Sequence, residues 1–135
     1  MNCAVLDTNI LIRLLKSGDR QVLEALSRFD CVLLSPVVLA EFGSGVDATT
    51  SAGELQRRAL DEFRGMDSVR EIGVLSKTAS YYSRIFRQLK AQGTPIPTND
   101  IWIAASALEQ GATLVTADAH FEKIPMLPLQ VVRNR

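Results

Sequence analysis

The sequence predicts an α/β fold, a parallel sheet covered by helices, and three observations carry that prediction. Short apolar runs rich in Val and Leu alternate with longer stretches whose apolar residues fall three and four apart. With 47% hydrophobic and 22% charged residues, the chain has the composition of a protein that buries a core. Its 135 residues suit one domain, 1–135, with no repeat, low-complexity tract or linker to divide it.

The apolar runs at 3–6, 31–34, 69–72, 113–116 and 129–132 are the expected strands, enough for one open sheet. Helical spacing marks 10–16 and 22–28. Ser35-Pro36 then places a cap and an N1 proline ahead of a helix over 37–43. The segment 52–63 is polar enough for a solvent-facing helix, and 76–92 is a long one ended by Gly93. Thr94-Pro95-Ile96-Pro97 must be a loop, after which Thr98 is the expected cap of a helix running through Ile101, Ala104 and Leu108 to Gly111. The Gly, Ser and Thr of 43–53 suggest a loop.

Lys plus Arg number 15 and Asp plus Glu number 15, so the total charge gives no sign of the basic surface of a nucleic-acid binder. Sequestering four acids on a metal would leave 11 acids against 15 bases, which makes the neutral total compatible with a phosphate ligand. The first apolar run meets Asp7 too soon for a signal peptide, and the run 31–40 is too short to span a membrane. Cys3 and Cys31 lack metal-ligand spacing, and both are expected as reduced, buried core residues. A cytoplasmic, soluble protein follows.

Ligands of an open parallel sheet bind at the carboxyl ends of its strands. Asp7 directly follows the first expected strand, Asp118 lies two residues beyond the fourth, Glu41 sits inside the helix fed by the second, and Asp100 opens the helix leading into the fourth. Taken singly, Asp7 and Asp118 suit caps or turns, and Asp100 suits the positive end of a helix dipole. Glu41 shares a face with Val37 and Val38 on a helix without Lys or Arg, so its charge needs a cation from elsewhere. Four acids converging on one sheet edge repel unless an ion holds them. Oxygen donors with no His or Cys partner select Mg²⁺ or Mn²⁺, which bind phosphate and activate water.

These segments resemble the PIN-domain nucleases, in particular the toxin component of VapBC-type toxin–antitoxin pairs, over nearly the whole chain. Val5-Leu-Asp-Thr-Asn-Ile10, Ser35-Pro-Val-Val-Leu-Ala-Glu41, Pro97-Thr-Asn-Asp-Ile-Trp-Ile-Ala-Ala105 and Leu114-Val-Thr-Ala-Asp118 with Phe121 look like the family's four motifs in order. The resemblance implies a PIN-like three-layer sandwich. It also implies that Asp7, Glu41, Asp100 and Asp118 hold Mg²⁺ or Mn²⁺ for phosphodiester hydrolysis of RNA. One ion is expected, and a second is left open, because Ala119-His120 stands where many members carry a further acid. Thr8 or Asn9 and Thr116 would orient the first and last carboxylates. A small antitoxin partner and a homodimer are implied as well.

Arg13 and Lys16, and Arg84, Arg87 and Lys90, recur at helical spacing and could line an RNA path, though a solvated helix face accounts for them equally. Trp102, Tyr81 and Tyr82 suit a core or dimer interface better than base stacking. With His120 as the only histidine, and best placed in a surface loop, two-histidine acid–base cleavage is excluded. No nucleophile elbow or Walker loop occurs. Two other classes remain: an aspartate-nucleophile phosphatase, against which Asn9 counts because that chemistry wants a second acid there, and an inactive PIN-like binding module.

Overall fold

The computed structural model describes residues 1–133 and builds one five-stranded parallel sheet. Its strands are β1 (Cys3–Leu6), β2 (Cys31–Leu34), β3 (Val69–Glu71), β4 (Thr113–Thr116) and β5 (Leu129–Val131), in the order β3-β2-β1-β4-β5. All five lie where the apolar runs predict them, with β3 and β5 each one residue shorter. Ala4, Val5 and Leu6 are all fully buried, as are Leu114, Val115 and Thr116. Successive strand residues face opposite sides of a sheet, so both faces are covered and the domain has three layers.

Six α-helices among the described residues supply that cover: α1 (Thr8–Ser17), α2 (Arg20–Leu26), α3 (Pro36–Ser44), α4 (Ser51–Arg64), α5 (Ser76–Gln92) and α6 (Thr98–Gln110). Local chemistry sets their ends. Asp7 and Asp19 cap α1 and α2, Ser35 caps α3 by accepting from the Val37 N–H, and Thr50 caps α4. Gly93 and Gly111 end α5 and α6 in the left-handed conformation, at φ of 70° and 61°. Thr98 is not the cap expected of it. Proline 97 holds the cap position without a side-chain bond, and Thr98 is the first helical residue. A short 3₁₀ helix over Ala119–Lys123, absent from the sequence reading, follows β4.

The chain steps from β1 outward through β2 to β3, then returns to lay β4 on the other side of β1. Connections from β1 and β4 therefore leave in opposite directions, and a crevice opens at their carboxyl ends. Register places Leu6 beside Val115, so Asp7 and Thr116 emerge together into that crevice.

One sequence expectation is overturned at the opposite end of the sheet. Cys3 and Cys31 are not free thiols but a disulfide, because the β1–β2 register sets them side by side with Cα atoms 4.6 Å apart. Spacing along the chain carried no sign of this lateral pairing, and a cytoplasmic setting loses the support it drew from reduced cysteines. No described helix is long and apolar enough to cross a membrane.

Candidate active site

Asp7 is the anchor of the crevice. Strand β1 ends at Leu6 because Asp7 turns the chain into α1, its Oδ1 accepting from the Thr8 N–H at 2.8 Å. Its Oδ2 accepts from Thr116 Oγ1 at 2.7 Å, a bond between the ends of β1 and β4. The Thr116 hydroxyl in turn accepts from the Asp118 N–H at 3.0 Å. Thr116 is fully buried and Asp7 is 7% exposed, so this relay fixes both acid-bearing segments with little freedom. Thr116, expected to orient the last carboxylate, donates instead to the first, that of Asp7, and meets Asp118 only through its backbone N–H.

Glu41 enters from α3, one helical face above the buried Val38. Its Oε1 accepts from Thr8 Oγ1 at 2.6 Å and its Oε2 from Asn99 Nδ2 at 3.4 Å. The side chain is half-buried, and the partners it takes within the fold are neutral donors from α1 and α6. Thr8 and Asn9 are the expected alternatives for orienting the first carboxylate; the Thr8 hydroxyl donates instead to Glu41, only its backbone N–H reaches Asp7, and Asn9 is exposed. Asn99 was missed by the sequence reading, where its signal was masked by the adjacent Asp100.

Asp100, in the first turn of α6, and Asp118, the cap of the 3₁₀ helix, meet through His120. The imidazole lies between them, Nε2 at 2.8 Å from Asp100 Oδ2 and Nδ1 at 2.9 Å from Asp118 Oδ1. His120 is therefore not the surface-loop residue expected. Its side chain is only 23% exposed and its ring packs against the buried Phe121 at a centroid distance of 4.7 Å. All four predicted acids thus converge on one crevice, and the histidine joins them.

Electrostatics agrees with that convergence. Burial pushes the Asp7 carboxyl above its ordinary value; the hydrogen bonds from Thr116 and Thr8 oppose this, and the charges of Glu41 and Asp118 add to it. Asp100 is likewise raised, first by burial and then by Asp7, with His120 acting in the opposite sense and Glu41 adding to the rise. Among the described residues no Lys or Arg pairs with any of the four. Clustered, partly buried oxygen donors whose one cationic neighbour among the described residues is His120 have the chemistry of a hard dication site. The fit is one of donor type and charge: no three His, Cys, Asp or Glu side chains among the described residues already stand at ion-binding spacing.

The proposed RNA-lining cations divide. Arg13 is withdrawn from that role, because its Nε pairs at 2.9 Å with the buried Asp19 while Nη2 donates to Gln21 and to the Arg133 carbonyl. It ties α1 to α2 and to the chain after β5. Lys16 and Arg87 are exposed, as is Arg84, whose guanidinium lies over the Tyr81 ring at 5.3 Å.

A doubly covered parallel sheet with acids gathered where its strand order reverses defines the class, and the family comparison agrees: residues 4–127 match the PIN domain. The chain belongs to the PIN-domain family. Within it, the chain is similar to VapC proteins. It is 33% identical over 130 residues to Ribonuclease VapC2 of Rickettsia felis, covering 93% of this chain and 95% of that one. The solved structure of VapBC2 from Rickettsia felis bound to a DNA fragment from their promoter superposes with a TM-score of 0.81 at 30% identity, over 96% of this chain and 98% of the other. VapBC-5 of Mycobacterium tuberculosis, a member of the VapBC family of toxin–antitoxin systems, gives 0.75 at 28% identity, over 99% and 100%.

Proposed function

We propose that this chain is an endoribonuclease of VapC type that hydrolyses RNA phosphodiesters with Mg²⁺ or Mn²⁺, and that it is the toxin of a toxin–antitoxin pair. The observation that carries this reading is the meeting of Asp7, Glu41, Asp100 and Asp118 in the β1–β4 crevice with no Lys or Arg among the described residues to balance them. Relatives named as VapC ribonucleases along almost the full chain support the substrate class.

Asp7, Asp100 and Asp118 would hold one ion, with Glu41 completing its shell or orienting the attacking water. A bound Mg²⁺ or Mn²⁺ supplies charge stabilisation at the scissile phosphate and lowers the pKa of a coordinated water. Thr8 and Asn99 hold Glu41 by both oxygens, so its carboxylate is presented in one orientation. Thr116 aims Asp7, and its hydrogen bond opposes the rise that burial imposes on that carboxyl. Exposed Lys16, Arg84 and Arg87 would contribute unspecific phosphate contacts.

A small antitoxin partner is supported by relatives solved as VapBC assemblies. A homodimer is part of the same proposal, with the Tyr82, Phe86 and Trp102 rings of α5 and α6, Tyr82 stacked with Phe86 and tilted against Trp102, as its candidate interface. A cytoplasmic setting is part of the same proposal and rests on RNA as the substrate alone, since the Cys3–Cys31 disulfide gives it no support.

The test incubates the pure protein with RNA and, separately, with a phosphomonoester, beside Asp7→Ala and Asp100→Ala. The proposal expects RNA cleavage to fall by at least about a hundredfold in both variants, as when a charge-stabilising group is removed. Equal cleavage by the variants would sink the site. Phosphomonoester hydrolysis alone would favour the aspartate-nucleophile reading instead.

A further inference from the structure

Of the four acids, Asp118 has the weakest support of its own. Its side chain is 46% exposed, against 16% for Asp100, and it sits beyond the end of β4 on a single turn. An exposed carboxylate on a short turn samples several rotamers, and ordering it costs conformational entropy. What orders it is one residue, twice. The His120 N–H donates to Asp118 Oδ1 at 3.0 Å, and the His120 ring nitrogen Nδ1 lies 2.9 Å from the same oxygen. Asp118 Oδ2 takes no hydrogen bond among the described residues and is left for another ligand.

The ring is packed on one face by the fully buried Phe121, and its buried Nε2, which makes no hydrogen bond among the described residues, lies 2.8 Å from Asp100 Oδ2. His120 thus spans the gap between the opening turn of α6 and the turn after β4. It ties the least constrained acid to one held by a long helix.

We propose that His120 is a positioning residue that acts through Asp118, holding that carboxylate in the crevice so that it serves as a donor to the dication. The assignment rests on the metal-dependent reading above. It gives the imidazole the part that outer-shell partners of metal-ligating carboxylates play elsewhere, where their loss costs about 10- to 100-fold in metal affinity.

The test measures Mn²⁺ affinity from the electron-paramagnetic signal of the free ion, with no RNA present. His120→Phe keeps a ring against Phe121 and removes both nitrogens; His120→Ala removes the ring; His120→Asn restores a donor near the position of Nδ1. Mn²⁺ affinity falls by about tenfold or more in the Phe and Ala variants and returns toward wild type in Asn. Adding His120→Ala to Asp118→Ala costs less affinity than the same change costs the wild type, since the histidine works chiefly through that acid. Wild-type affinity in the Phe and Ala variants, tighter binding in either, or an additive loss in the double variant each overturns the assignment while leaving the metal site standing. Absence of Mn²⁺ binding by the wild type overturns the metal reading and this assignment together.

Discussion

Asp7 illustrates how a single residue can be both a structural fixture and a stability cost. As cap of α1 it accepts the Thr8 N–H, yet burial and neighbouring acids raise its carboxyl above the ordinary value. A folded-state value above the unfolded one means the native protein takes up the proton more readily. The Asp7 contribution to metal-free stability is therefore greatest at acidic pH, falls as pH rises through the window between the two values, and stays low above it. Asp7→Asn keeps a cap and removes the charge. In chelator at neutral pH, thermal unfolding of this variant is expected several degrees above wild type, with the gap closing toward pH 4. A lower melting temperature at neutral pH would contradict the assignment of Asp7 as a strained acid. Thr116→Val is the complementary change, removing the hydrogen bond that opposes burial. The acidic limb of the pH–rate profile should move to higher pH, with cleavage reduced by about tenfold.

At this scale the sequence was legible where a residue's place in its element decides its role. Asp7 after a strand and Glu41 on an apolar helix face could be found from pattern alone. His120 and Asn99 could not, because their roles come from contacts between segments distant in sequence: His120 reaches across to Asp100, and Asn99 to Glu41. The charge of Arg13 was visible, but its engagement with Asp19 was not, since it depends on how α1 turns into α2.

Among the elements, α3 is the most direct conversion of sequence into site geometry. Ser35 caps it and Pro36 presets its first turn, which fixes the rotation that brings Glu41 to Thr8. Ser35→Ala removes the bond to the Val37 N–H and should cost about 1 kcal/mol in denaturant unfolding. Cleavage is expected to fall as well, through Glu41, whereas an equal loss of cap energy at Thr50 of α4 should leave cleavage unchanged. The β1–β2 pair is the counterexample for legibility. Alternation located both strands, but only register, a property of two strands together, brings Cys3 to Cys31. The bridge closes a loop of 28 residues, so the oxidised chain should exceed the reduced one by about 3 kcal/mol in unfolding free energy. Equal stability with and without reductant would remove the disulfide from the fold's energetics.

For the molecule as a whole, the order β3-β2-β1-β4-β5 creates the site, because only the reversal beside β1 sets Asp7 against the end of β4. Five parallel strands followed from their alternation with helices, whereas strand order and register came only with the fold. The neutral charge balance, uninformative as a sum, becomes meaningful once four of the 15 acids are assigned to one crevice. The central claim is that those acids act together through a dication on RNA. The most direct measurement is RNA cleavage after exhaustive chelation, with Mg²⁺ or Mn²⁺ titrated back and the product ends identified. Cleavage should vanish with chelation, return on titration and leave 5′-phosphate and 3′-hydroxyl ends; undiminished cleavage in chelator, or products ending in cyclic phosphate, would contradict it.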